Sequence, residues 1–237
     1  NLIMEAQNNT DAGEGDGEVM LGADFGASTD GDETVFVIRK GNTVIHTIAF
    51  RELDTTKTAE RLLETIAVFK PRKVYADEAG VGKGVVDIVR NAKTAWVVGV
   101  NNARTANDDK HYANLRAEIY WKLREKFFGG SVNIPRHDTI LQGQLATLKY
   151  EIKNGRLYME SKKDMRSKGL RSPDRADALA LAFYPSFIAN PEITEGAGSV
   201  LITSRWKPVQ ATLSPIITRR GNARPFSLGR GRQNEWD

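Results

Sequence analysis

No cysteine occurs among the 237 residues, which rules out disulfides and thiolate-ligated metal sites and fits a reducing compartment. Histidine is nearly as scarce: His46, His111 and His137 are scattered, and no pair has metal-ligand spacing. No apolar run approaches the roughly 20 residues of a membrane helix. The polar, acidic opening from Asn1 to Glu18 is not that of a signal peptide. There are no internal repeats, and no ATP-type phosphate loop. Gly80-Val-Gly-Lys-Gly84 lacks the first glycine at the required spacing and has Gly84 where a Mg²⁺-binding Ser or Thr belongs. A tight strand-to-helix turn accounts for that segment, with contact from its backbone N–H groups to a phosphate as the alternative.

What remains is the composition of an ordinary globular protein, 40% hydrophobic and 27% charged, on a chain long enough for one large domain with appendages or two small ones. The net charge of +4 is unevenly spread. Residues 1–18 carry five acids and no base, residues 191–237 carry seven bases and four acids, and the body between them holds +6. A moderately basic body is compatible with a polyanionic partner.

Gln7 to Glu18 has the Gly, Asn and acid content of a linker with nothing to bury, and residues 1–18 as a whole read as an acidic flexible linker. Regular patterning begins at Val19. Met20 to Phe25, Thr34 to Arg39 and Val44 to Phe50 read as strands, the last two joined as an antiparallel hairpin by Lys40-Gly-Asn42. Helical spacing from Thr56 to Lys70 stops at Pro71, and a strand to Asp77, a helix over 84–92 and a strand over 95–100 follow. Tyr112 to Phe128 reads as an amphipathic helix, and Asp138 to Leu148 as a shorter one with Asp138 as cap. Asn154-Gly155 marks a second hairpin, a basic loop runs from Ser161 to Arg171, and a last helix starts at a Ser172 cap. The order predicts an α/β domain over 19–189 with a mixed five-stranded sheet, flanking helices and an additional β-hairpin. Residues 190–237, rich in Pro, Gly, Ser and Arg, read as an extended tail.

Four carboxylates stand out. Asp24 lies in the apolar run Val19-Met-Leu-Gly-Ala-Asp-Phe25, Asp77 ends a second run, and Asp174 and Asp177 open the last helix. Burying an unpaired charge costs roughly several kcal/mol or more, so chain-distant acids at such positions point to one shared compensator, for which a divalent metal is the natural candidate. Structural readings compete at each position. Asp24 could be a turn acid just past a strand end, Glu78 competes with Asp77 on the opposite face, Asp174 suits a helix dipole, and Asp177 could pair with Arg175 or Arg171. Turn chemistry explains Asp30 and Asp32, with an accessory role for Asp30 as the alternative.

Three initial strands with an acid in the first, a second acid ending the fourth and an acid-bearing final helix resemble the ribonuclease H-like fold. More narrowly, Leu21-Gly-Ala-Asp-Phe-Gly26, Val74-Tyr-Ala-Asp-Glu-Ala-Gly80, Ser172-Pro-Asp-Arg-Ala-Asp-Ala-Leu-Ala180 and the Asn-Gly hairpin resemble the nuclease domain of tailed-bacteriophage large terminases over residues 19–186. The resemblance implies an endonuclease, largely without sequence specificity, that cuts concatemeric viral DNA during genome packaging in the host cytoplasm. It also implies double-stranded DNA, the portal protein and the small terminase subunit as partners, with the motor's ATPase as a separate N-terminal domain absent from this chain and no membrane.

Hard ions such as Mg²⁺ or Mn²⁺ suit an all-carboxylate site, and two of them ~4 Å apart can both activate a water and stabilise a leaving oxyanion. Asp24 would bridge the pair, Asp77 would hold one ion, and Asp174, Asp177 or both would complete the set. Lys162, Lys163, Arg166, Lys168 and Arg171, just before the last helix, are candidate DNA contacts, with Arg175, Arg104, Lys110 and His111 as further bases nearby. The tail bases Arg219, Arg220, Arg224, Arg230 and Arg232 read as solvated, with docking on the packaging machinery as an alternative. Two other functional classes stay open. Asp24-Phe-Gly-Ala-Ser-Thr29 resembles the phosphate turn of actin-like and sugar kinases, and the acids could be structural in a DNA-gripping or portal-docking module.

Overall fold

The computed structural model describes residues 2–10, 12, 17–26, 32–52 and 54–184. The sheet grows around β1 (Val19–Asp24), whose residues from Met20 onward are buried. β2 (Thr34–Lys40) pairs with it antiparallel, and β3 (Thr43–Phe50) folds back on β2 through Gly41, which takes the left-handed φ of 56° that the turn needs. α2 (Thr55–Phe69) starts at Asp54, whose carboxylate accepts from the Thr56 and Lys57 amides. It ends in a left-handed Lys70 before Pro71. β4 (Lys73–Asp77) returns parallel to β1, α3 (Gly82–Asn91) crosses over, and β5 (Trp96–Val100) lies parallel to β4. The order β3-β2-β1-β4-β5 is the mixed five-stranded sheet expected from the strand pattern.

α4 (Leu115–Phe128), α5 (Thr139–Thr147), the hairpin β6 (Tyr150–Lys153) and β7 (Arg156–Met159), α6 (Lys162–Ser167) and α7 (Asp174–Phe183) complete the described chain after the sheet. Asp138 caps α5 as expected, accepting from the Leu141 amide at 2.9 Å. Asn154 and Gly155 both have positive φ in the two-residue loop of the hairpin. No helix among the described residues is long and apolar enough to cross a membrane.

Alternation along β1 decides which residues face which layer. Leu21 and Ala23 join Phe36, Ile38, Val74 and Ala76 in a core shared with Leu62 and Ile66 of α2 and Val85, Val86 and Val89 of α3. Gly22 and Asp24 therefore face the other way, toward α7. At Gly22 the helix lies directly on the strand: a Cβ there would stand 2.1 Å from the Ala178 carbonyl oxygen and 2.3 Å from the Ala182 nitrogen. The alanines of α7 permit this approach, and all of its residues except Arg175 are buried. Its C-terminal end is held by Arg39 of β2, itself fully buried. Arg39 Nε donates to the Ala182 carbonyl at 2.6 Å, and its guanidinium stands 5.0 Å from the Phe183 ring.

Several sequence expectations are corrected. Residues 2–10 are not part of a flexible linker. α1 (Leu2–Asn8) packs on α4 and α5 with Ile3 and Ala6 buried, and Ala12 is buried beyond it. The Asn133 side chain donates to the Asn9 carbonyl at 2.5 Å and Arg136 Nε to that of Gln7 at 3.0 Å. The apolar residues ahead of Gln7 supply the buried face that the polar remainder lacks. α4 begins at Leu115, three residues late, because Asn114 caps it and Tyr112 is bridged to Leu157. The basic loop contains α6, capped by Ser161 through the Asp164 amide at 3.0 Å. Ser172 does not cap α7; Pro173 occupies that position and makes no side-chain bond. Asp30 and everything from 185 onward, the tail included, lie outside the described residues.

Candidate metal centre

Sheet register and helix contact bring the acids together. Asp24 lies one residue beyond the Ala23–Ala76 pair on β1, and Asp77 occupies the same place on β4. Tyr75, which shares Asp77's face of the strand, stacks edge-on with Tyr184 just past α7 at 5.7 Å. α7 runs over Gly22 at Ala178, so Asp177, the residue before it, and Asp174, one turn earlier, arrive beside Asp24. One carboxylate oxygen from each of Asp24, Asp174 and Asp177 lies within 4.8 Å of the others. All three residues are at most 3% exposed.

A cation from the protein itself sits at their focus. Lys162, first residue of α6, places Nζ 2.8 Å from Asp177 Oδ2, 3.7 Å from Asp24 Oδ2 and 3.8 Å from Asp174 Oδ1. The remaining oxygens of the α7 acids are held from behind. The Tyr120 hydroxyl donates to Asp177 Oδ1 at 2.5 Å, with Arg116 Nε 3.5 Å from the same atom, and the Glu33 amide donates to Asp174 Oδ2 at 2.7 Å. Asp77 stands apart from this group of three. Its Oδ1 accepts from the Ala79 amide at 2.9 Å and its Oδ2 from the Asn102 side chain at 3.4 Å.

The electrostatics separate the four. Burial, then the charges of Asp177, Asp174 and Asp77, push the Asp24 carboxyl well above the usual range, and Lys162 offsets this only in part. Burial likewise raises Asp77 and Asp174. Burial acts on Asp177 in the same sense, but Lys162, then Arg116, outweigh it and hold its carboxyl below the usual range. Lys162 in turn is held in its charged form by Asp177 and Asp24 against the cost of its own burial. Buried carboxylate oxygens converging on one point suit a hard divalent cation, which prefers oxygen ligands. The ammonium therefore competes for the position such a cation would take. Lys162→Ala is expected to lower the melting temperature of the metal-free protein by several degrees, at roughly 2–4 °C per kcal/mol for a domain of this size. It should also enlarge the upward shift that Mn²⁺ produces. Equal Mn²⁺ shifts in thermal melts of the two proteins would show that Lys162 does not occupy the cation position.

Among the candidate DNA contacts, Lys162 is thus turned inward to the acids. Arg166 pairs with Asp32 at 3.5 Å, Lys168 with Glu160, and Lys163 and Arg171 are exposed. Arg175 is not the partner of Asp177 but joins Glu33 at 3.4 Å and Asp138 at 2.7 Å. Glu78 pairs with Arg90 at 3.9 Å, Arg104 donates to the Tyr184 hydroxyl at 2.9 Å, His111 pairs with Asp108 at 2.7 Å, and Lys110 is exposed. Gly80 takes φ 56° in the turn to α3, and a Cβ on Gly82 would stand 2.0 Å from the Asp77 carbonyl oxygen, so the close strand-to-helix turn explains both glycines. The order of residues does not mark the central position of Lys162, nor Tyr120 and Asn102. The one available signal was Arg116, a charge beside the buried Leu115, Ile119 and Leu123 of an amphipathic helix.

The terminase RNaseH-like domain family matches residues 21–184 of the chain. None of the curated proteins matches it. Among solved structures, the nuclease domain of the large terminase subunit gp2 of bacterial virus Sf6 superposes with a TM-score of 0.69 at 17% identity, covering 76% of this chain and 95% of that one. A K428A variant of that domain with manganese gives 0.67 at 16% identity over the same shares. The large terminase nuclease from thermophilic phage G20c gives 0.55 at 19% identity, covering 70% of this chain and 81% of its own. At these identities the likeness establishes a common fold: a mixed five-stranded sheet with flanking helices and a separate hairpin.

Proposed function

Because the chain belongs to the family of terminase RNaseH-like domains, we propose that it is the nuclease of a viral packaging motor, a divalent-metal-dependent endonuclease that cuts concatemeric DNA with little regard to sequence. The observation that carries this reading is the meeting of three buried carboxylates, from β1 and α7, on a single cation position. The manganese-containing Sf6 domain supports it by analogy. Asp24, Asp174 and Asp177 would hold the metal, with Asp77 on the neighbouring strand available to a second ion. Two Mg²⁺ or Mn²⁺ ions supply an activated water and stabilisation of the leaving oxyanion.

The protein's own part is to keep the acids dry and aimed. Sheet pairing fixes Asp24, the α7 contact at Gly22 fixes Asp174 and Asp177, and the Glu33 amide and Tyr120 hydroxyl each anchor one carboxylate oxygen. Lys162, at the focus of the acids, would balance their charge until a metal takes that position. The exposed Lys163 and Arg171, with Arg166 and Lys168, would meet the phosphate backbone, which carries no sequence information directly. The portal protein, the small terminase subunit and a separate ATPase domain are the partners of this role, and the host cytoplasm its place.

Supercoiled plasmid incubated with the chain and Mn²⁺ should be nicked and linearised without fixed sites. Products should vanish with EDTA and fall steeply as salt rises from about 50 to about 200 mM. Intact plasmid with every divalent metal, alongside undiminished DNA retention, would mark a binding module instead.

A further inference from the structure

Arg116 and Tyr120 lie four residues apart on α4, behind the acids and away from the Lys162 side. Arg116 is an unusual burial. Its Nη1 donates to the Glu160 carbonyl at 2.9 Å, but Nε and Nη2, both shut off from solvent, make no hydrogen bond among the described residues. Leaving such donors unpaired costs stability, so packing alone gives no reason to keep a guanidinium there. Its surroundings do: Asp177 Oδ1 lies 3.5 Å from Nε, and the guanidinium rests 4.9 Å from the Tyr120 ring, whose hydroxyl bonds the same oxygen.

We propose that Arg116 and Tyr120 are positioning residues that clamp Asp177 Oδ1, leaving Oδ2 as the one oxygen turned toward Asp24 and Asp174. The inference rests on the metal-dependent reading of the site and adds to it a rigid back wall. A carboxylate free to rotate about its last torsion would offer a metal either oxygen or both; the clamp removes that freedom. Arg116 also ties the wall to Glu160, the residue immediately before the Ser161 cap of α6, so the chain leading into Lys162 and the carboxylate it faces share one anchor. Groups behind metal ligands typically contribute about 10–100-fold in metal affinity.

The test is calorimetric titration of Mn²⁺ into the full chain, its Tyr120→Phe and Arg116→Lys variants, and Asp24→Asn. Tyr120→Phe keeps the ring and removes only the hydroxyl. It should bind Mn²⁺ about 10–100-fold more weakly, and melt a few degrees lower without metal because buried Asp177 Oδ1 loses its donor. In plasmid cleavage the Mn²⁺ concentration for half-maximal rate should rise by a similar factor, with the rate at saturating Mn²⁺ largely retained, a split that loosened packing would not produce. Should Tyr120→Phe not fold, Arg116→Lys, which keeps the charge but not the fork, decides on the same readouts. A folded Tyr120→Phe that binds Mn²⁺ as tightly as wild type, while Asp24→Asn loses it, overturns the clamp and leaves the metal centre standing. Absence of Mn²⁺ uptake by the wild type overturns both.

Discussion

Asp24→Asn is expected to abolish Mn²⁺-dependent cleavage while raising the melting temperature of the metal-free protein. The two effects come from the same burial. Asp24 is 3% exposed beside Asp174 and Asp177, with Asp77 on the neighbouring strand, and its carboxyl is pushed well above the usual range, so the ionised form is on balance unfavourable in the folded state. An acid with a raised folded-state pKa binds a proton more readily folded than unfolded. Its ionisation therefore erodes stability as pH rises from the unfolded-state value near 3.8 to the raised one, and the full penalty persists above that. Asparagine has the same shape and no such penalty.

The variant should melt several degrees above wild type at neutral pH, and the difference should shrink toward zero on acidification, where Asp24 is protonated in both states. Activity moves the other way. Asparagine cannot supply the anionic oxygen that would share the proposed cation with Asp174 and Asp177, and losing several kcal/mol of transition-state stabilisation should slow cleavage about 10³-fold or more. Thermal melts between pH 4 and 8, with and without Mn²⁺, and plasmid cleavage read both halves. A less stable variant at neutral pH would contradict the account of the charge cluster. Retained cleavage would remove Asp24 from the catalytic site.

The second large effect is structural. Gly22→Ala places a methyl group 2.1 Å from the Ala178 carbonyl oxygen and 2.3 Å from the Ala182 nitrogen. Both are backbone atoms of a helix buried nearly all round, so no flexible side chain can yield, and α7 itself must lift off β1. Overpacking costs roughly 1–3 kcal/mol where side chains can adjust, occasionally more. With backbone on both sides the upper end or beyond is expected, a fall of ~6–12 °C in melting temperature. Because α7 carries Asp174 and Asp177, its displacement from Asp24 should also weaken Mn²⁺ binding in whatever fraction still folds. Gly143→Ala in α5, where an added Cβ meets nothing within 4 Å, is the contrasting substitution and should be neutral or slightly stabilising. Equal melting temperatures for the two variants would show that the β1–α7 contact is looser than described.

The site was unevenly legible before the fold was known. Asp24 and Asp77 stand out as candidates because a charge that ends an apolar run needs explanation wherever the chain goes. Asp174 and Asp177 could be placed on one face because helical spacing is local. Lys162 could not. Among Lys162, Lys163, Arg166, Lys168 and Arg171 nothing in the order of residues tells the one base that turns inward from those left at the surface. That choice follows from the Ser161 cap, which starts α6 so that its first residue reaches Asp177. Arg39 ends a strand pattern with no signal of its own, and only the end of α7 lying against it gives it a carbonyl to satisfy. The helix before Val19 is hidden in the sequence for a related reason. Seven residues of weakly amphipathic helix say little until α4 and α5 offer a surface to cover.

By itself the sequence determined the strands and helices, the alternation that turns Gly22 and Asp24 to the same face, and the acids that must find compensation once buried. These are short-range matters of residue type and spacing. Which groups compensate was decided only in three dimensions: Lys162 in front of the acids, Tyr120 and Arg116 behind, the Glu33 amide at one side, and Asp77 held apart by its own turn. Coulomb energies and hydrogen bonds change steeply over one or two ångströms. Separations that fine, between residues up to 141 positions apart in the chain, are set by how α4, α6 and α7 close over the sheet.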